Sequence, residues 1–138
     1  MEEELVITIY GDTQSKKNRY RYSPSGKPYK PDFVREAENQ ALSQIPWEMQ
    51  GLRLKNPAVV FSAIVPKKSM AMDIDGAFTT VLDYLVKAKV IQDDNIRNFN
   101  GPKLIVPAEE GDHKAMTIKL YPSGKLPLAE VIKWAQRQ

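Results

Sequence analysis

A chain of 138 residues with 42% hydrophobic content is long enough to bury a core of its own, and a single domain spanning residues 1–138 is expected. No apolar run approaches the roughly 20 residues that cross a bilayer as a helix. The chain has no cysteine and one histidine, which excludes a disulfide framework and argues against structural zinc. The acidic start, Met1-Glu2-Glu3-Glu4, is unlike the basic and then apolar opening of a secretory signal, so a cytoplasmic protein with no membrane partner is expected.

The net charge of +3 is unevenly spread: residues 14–35 hold seven bases against the single acid Asp32, so that window carries +6 and the remainder −3. Such polarity suits a chain that holds a polyanion in one region and cations in another.

Alternation over residues 5–10 predicts a strand with Leu5, Ile7 and Ile9 on one face and Val6, Thr8 and Tyr10 on the other. Residues 11–30 show no helical period, and Ser23-Pro24-Ser25-Gly26 with Lys27-Pro28 predicts a basic, tyrosine-rich loop or hairpin. Pro31-Asp32 can open a helix whose inward face carries Phe33, Val34, Ala37, Ala41, Leu42 and Ile45, stopped by Pro46. Residues 58–65, apolar and β-branched, predict a buried strand ended by Pro66-Lys67-Lys68.

After Asp73-Ile74-Asp75, the spacing of Phe78, Val81, Leu82, Leu85 and Val86 predicts a helix to about Lys89, followed by a turn at residues 92–95. Strands are expected over residues 96–106 and 116–121, as antiparallel neighbours across a hydrophilic stretch at 109–114 that carries His113 at the surface. Ser123-Gly124 breaks the chain before a last helix at 127–136, with Leu128, Val131, Ile132 and Ala135 facing inward. Trp47 and Trp134 are expected in the core or an interface. The fold class is α+β, a mixed sheet flanked by helices.

In Asp73-x-Asp75 an extended backbone aims both carboxylates the same way. The pair also suits helix capping, because helix N-terminal amides favour an anion. Asp93-Asp94 follows the same helix, and an Asx turn would account for it equally well on local grounds. A helix of about 14 residues is about 20 Å long, so its two ends share one site only if the chain folds back after Lys89. Carboxylates that converge would repel one another unless a cation neutralised them, and Mg²⁺, which prefers oxygen ligands and needs few carboxylates beside a substrate phosphate, suits that task. Such a centre could activate water against a phosphodiester without an amino-acid nucleophile.

The combination resembles the RusA-type Holliday junction resolvases, small phage-associated, Mg²⁺-dependent, homodimeric endonucleases. Met72-Asp73-Ile74-Asp75-Gly76-Ala77-Phe78, followed by Val90-Ile91-Gln92-Asp93-Asp94, looks like the family's acidic signature, with the spacing from Asp75 to Asp94 ungapped. Asn18-Arg19-Tyr20 resembles a family motif after the first strand, Pro66-Lys67-Lys68 its basic approach to the first aspartate, and Lys103 a lysine beyond the Asp-Asp pair. The resemblance covers about residues 5–121, leaving 122–138 as a C-terminal helical extension.

The resemblance implies that Asp73, Asp75 and Asp94 are the catalytic metal ligands, with Asp94 preferred over Asp93. It implies Mg²⁺, with Mn²⁺ as a substitute, a homodimer, and a role in DNA recombination and repair. Two departures stand out: Gly76 where the family usually has Asn, and Thr79 where it carries a catalytic lysine. A missing lysine removes a charge that could stabilise the transition state.

Lys16, Lys17, Arg19 and Arg21 interleave with Tyr20, Tyr22 and Tyr29, supplying charges for phosphates and rings for an exposed base. DNA contacts are therefore expected from Lys16, Lys17, Asn18, Arg19, Tyr20, Lys67, Lys68 and Lys103. The expected function is a Mg²⁺-dependent endodeoxyribonuclease resolving four-way junctions or related branched DNA. The alternative is a weakly catalytic or non-catalytic DNA-binding protein of the same fold.

Overall fold

The computed structural model describes residues 3–11, 21–29, 32–69, 73–95 and 97–137. Strand β1 (Leu5–Tyr10) alternates as its sequence does, with Ile7 and Ile9 buried and Val6 and Tyr10 exposed. It pairs antiparallel with β7 (Ala115–Tyr121) from Leu5↔Leu120 to Tyr10↔Ala115. The other edge of β7 pairs antiparallel with β4 (Ala58–Val65).

Strand β4 then takes β5 (Lys103–Ile105) and β6 (Glu109–Glu110) as parallel partners, giving a five-stranded mixed sheet ordered β1-β7-β4-β5 with β6 also on β4. A separate hairpin joins β2 (Arg21–Tyr22) to β3 (Pro28–Tyr29), closed by the Gly26 amide donating to the Ser23 carbonyl at 2.8 Å.

The two late strands are therefore not neighbours, contrary to expectation: β4 lies between them. The reason lies in β4 itself, apolar on both faces and so stable only at the centre of a sheet covered from both sides. The strand expected from residue 96 also starts later, because the Asn98 and Phe99 amides donate to the Asn95 carbonyl and turn the chain there. Pairing begins only after Gly101, where an added β-carbon would lie 2.4 Å from the Pro57 carbonyl oxygen.

Helices cover both faces. On one side, helix α1 (Asp32–Ser43) and helix α2 (Ile74–Lys87) close the main core, which includes Ile7, Ile9, Val59, Phe61, Met116 and Ile118 of the strands. Phe61 meets Phe78 with ring centroids 5.1 Å apart. Helix α1 buries Val34, Glu38 and Ala41, so Phe33, expected inward, sits off that stripe and is 49% exposed. The Glu38 carboxylate is ion-paired with Lys87, tying α1 to the last turn of α2.

On the other side, helix α3 (Leu128–Gln136) lies over a smaller cluster of Ala58, Val60, Val106 and Tyr121. Its orientation also differs from expectation: Leu128 and Ile132 are exposed, as is Ala135, and the helix docks through Trp134 instead. This face of β7 presents Thr117 and Lys119, so polar bonds decide the docking: Lys119 pairs with Glu130 at 2.9 Å and the Trp134 indole donates to the Ile105 carbonyl at 3.3 Å. Trp47, expected in the core or an interface, is 79% exposed in a 3-10 turn (Trp47–Met49).

Candidate functional site

Helix α2 carries the acidic signature, and its sequence specifies both ends. Asp73 is the N-cap, with an extended backbone and a side chain that accepts the Asp75 amide at 3.1 Å. Phe78, Val81, Leu82 and Leu85, with Ala77, Thr80 and Tyr84, form the buried face and fix the helix against the sheet. At the far end, the Val90 amide reaches the Leu85 carbonyl and the Lys89 amide the Val86 carbonyl, a Schellman closure with Lys89 at φ 62°. The helix expected to reach Lys89 therefore ends at Lys87.

Asp73 and Asp75 are exposed at the start of α2, beyond the Val65 end of β4. Next to them in the chain, Lys67 and Lys68 occupy an exposed 3-10 turn (Lys67–Ser69). Asp94 lies at the opposite end. After the Schellman turn the Leu54 amide donates to the Val90 carbonyl, the Gln92 amide to the Leu54 carbonyl and the Asn56 amide to the Asn98 carbonyl, so residues 90–98 run beside 54–56. A 14-residue helix separates its ends by about 20 Å, and the chain does not travel back along it. The return of the chain on which convergence within one chain depended is thus replaced by a path along residues 54–56. Among the described residues no three Asp, Glu, His or Cys side chains come together as a metal-holding group.

The two carboxylates after α2 differ in what they do. Asp93 is occupied locally, its Oδ1 accepting the Asp94 amide at 2.7 Å and its Oδ2 the Asn95 side-chain amide at 3.1 Å. The exposed Asp94 carboxylate has no partner among the described residues. Thr79 donates its hydroxyl to the Asp75 carbonyl at 2.8 Å. Lys103 lies at the Asp94 end, paired in register with Val59. Its Nζ donates to the Gly101 carbonyl at 2.8 Å and sits 4.6 Å from the Phe99 ring centroid, and burial pushes its pKa below the ordinary lysine value. Lys16, Lys17, Asn18, Arg19 and Tyr20 lie outside the described residues.

Asn56 is a residue the sequence pattern did not single out. In the left-handed conformation at φ 51°, it accepts the Asn100 amide on Oδ1 at 2.8 Å and donates Nδ2 to the Arg97 carbonyl at 3.3 Å. It thereby clamps the loop that carries Asp94. Its only local signal was the Asn-Pro dipeptide, a common turn element.

A cavity of about 180 Å³ lies on the opposite side of the sheet, between β4 and α3, walled by Val60, Val106 and Trp134. Two of its cations, Lys119 and Arg137, are ion-paired with Glu130 and Glu109. Compared with known proteins, the chain matches no family model and no curated sequence.

Proposed function

We propose that this chain is a Mg²⁺-dependent, structure-specific endodeoxyribonuclease of the RusA type, cutting four-way or related branched DNA as a homodimer. The observation that carries the reading is the placement of the carboxylates around α2. Asp73 and Asp75 are exposed at its start, and Asp94 is exposed and unpartnered beyond its end. A site with all three aspartates then needs two chains. A twofold axis setting two α2 helices side by side in opposite directions would bring Asp94 of the partner subunit to Asp73 and Asp75, and would do so twice. Two equivalent sites suit a substrate with paired, symmetric strands.

The donor chemistry fits the ion: exposed carboxylate oxygens, one or two of which suffice for Mg²⁺ or Mn²⁺ beside substrate phosphate and water. When bound, the ion supplies a water activated at neutral pH and offsets the charge that builds on the cleaved phosphate. The chain's own residues do the rest. Lys67 and Lys68 hold phosphates close to Asp73, Lys103 does so near Asp94, and Lys16, Lys17, Asn18, Arg19 and Tyr20 supply further contacts to the DNA. Thr79 supplies no charge, so cationic help would come from Lys67 and Lys68, the bases that precede Asp73 in the sequence.

The test is cleavage of a synthetic four-way junction with Mg²⁺. Asp75→Asn is expected to abolish cleavage and leave junction binding intact; full cleavage by that variant would remove the reading. One observation favours a second reading, a DNA-binding protein without catalysis: Asp73 and Asp93 already have structural work as cap and turn. Binding of the junction with no Mg²⁺-dependent cut in the unmutated protein would select it.

A further inference from the structure

Among the described residues, three without glycine's freedom adopt the left-handed backbone conformation: Arg53 at φ 52°, Asn56 at φ 51° and Lys89 at φ 62°. Arg53 and Lys89 are joined at a corner where the 51–56 segment passes the end of α2, and Asn56, further along that segment, is bonded to the loop that follows the helix. The Gly51 amide donates to the Ala88 carbonyl and the Arg53 amide to the Lys89 carbonyl. Asparagine is at home in this conformation, whereas arginine and lysine are not, and glycine would take either place without opposition from a β-carbon. Lys89 occupies the Schellman position where glycine is the usual residue. Two bases thus sit where the backbone alone would favour none, and strained positions of this kind gather at functional sites.

The same segment and the loop bonded to it carry further charge and an aromatic ring. Lys55 is exposed, and Asn56 holds the exposed Arg97 alongside through its bond to the Arg97 carbonyl. None of Arg53, Lys55, Lys89 and Arg97 forms an ion pair among the described residues. Glu48 is the single acid of residues 46–56. Trp47, three residues before the Gln50 amide that bonds its carbonyl, presents an indole that is 79% exposed. An uncovered tryptophan, in a segment whose cations have no ion pair among the described residues, is poorly explained by stability.

We infer that this corner is a contact surface for single-stranded DNA, with Trp47 stacking on an unpaired base and Arg53, Lys55, Lys89 and Arg97 holding flanking phosphates. Single-strand surfaces combine these two elements, since every base offers a π-face and every linkage a charge. The inference extends the proposed action on branched DNA, where bases at the branch can be unpaired, and it uses none of the aspartates.

The experiment is a titration of the full chain with a 16-nucleotide oligo(dT), without divalent metal, reading tryptophan emission and fluorescence anisotropy of a labelled strand. Quenching is expected, and Trp47→Ala should remove most of it while weakening binding about tenfold. Arg53→Gly and Lys89→Gly should melt at or above the wild-type temperature, yet bind several-fold more weakly. Each should also lower the slope of log affinity against log salt by about 0.7. The glycine variants keep the idea refutable even if Trp47→Ala folds poorly.

Wild-type affinity in both glycine variants, or oligo(dT) binding that leaves Trp47 emission unchanged, would overturn the inference. The titration is repeated on Asp75→Asn. Trp47-dependent binding intact while Asp75→Asn cuts the junction as well as the unmutated protein counts against the nuclease reading alone, and cleavage lost in Asp75→Asn with no Trp47-dependent binding in either protein counts against this surface alone.

Discussion

If Asp94 completes the site of a partner subunit, two inactive chains should repair one another. Asp75→Asn removes a ligand from the start of α2 and Asp94→Asn removes the one beyond its end, about 20 Å away along a 14-residue helix. Co-expressed with two different affinity tags and purified through both, the two variants give a heterodimer with two unequal sites. One site combines Asp73 and Asp75 of the Asp94→Asn chain with Asp94 of the Asp75→Asn chain and is whole; the other lacks both mutated carboxylates. Nicking per dimer should therefore recover to about half the wild-type rate from a background set by either homodimer. A supercoiled plasmid extruding a cruciform shows this directly: one intact site yields open circles, whereas two yield linear product. If each site belonged to a single chain, the heterodimer would contain no whole site. Activity at the homodimer background, in heterodimers that still bind the junction, would refute the shared site.

The cap role of Asp73 and its proposed metal role can be separated. Asp73→Asn preserves a good N-cap and should hold stability within about 0.5 kcal/mol while losing cleavage, whereas Asp73→Ala should cost a further 1 kcal/mol or so in urea unfolding. Gly101→Ala forces a β-carbon to 2.4 Å from the Pro57 carbonyl oxygen and should destabilise by about 1–3 kcal/mol in the same assay. Burial lowers the pKa of Lys103 from the usual 10.5, so the folded chain sheds that proton before the unfolded chain does. Stability from this group is absent below the folded pKa and grows as pH rises towards 10.5. Lys103→Gln should flatten that rise when denaturant midpoints are compared across mildly alkaline pH.

Elements whose residues answer to one local rule were legible. The alternation of β1 and the largely apolar, β-branched run of β4 appear in the structure with the bounds their sequences predict. The buried face of α2 matches at Phe78, Val81, Leu82 and Leu85. Reading failed where two faces of similar polarity competed. In α3 the apolar residues Leu128 and Ile132 lost to Trp134 and Glu130, whose polar atoms could bond to Ile105 and Lys119. In α1 the inward stripe passes through Glu38 and misses Phe33, an outcome that required a partner from another helix, Lys87.

Sequence by itself determined that Asp73 and Asp75 open a helix and that Asp93 and Asp94 follow it, because capping preference and helical period are properties of neighbouring residues. Only the tertiary structure decided that the two groups stand at opposite ends. A helix is a rod of fixed rise per residue, and the chain leaving α2 at Lys89 finds its hydrogen-bond partners in residues 54–56 and does not return along the helix. The same crossing joins Arg53 to Lys89 and Asn56 to Arg97, residues distant in the sequence. Their proximity depends on long-range backbone pairing, which no local pattern of sequence encodes.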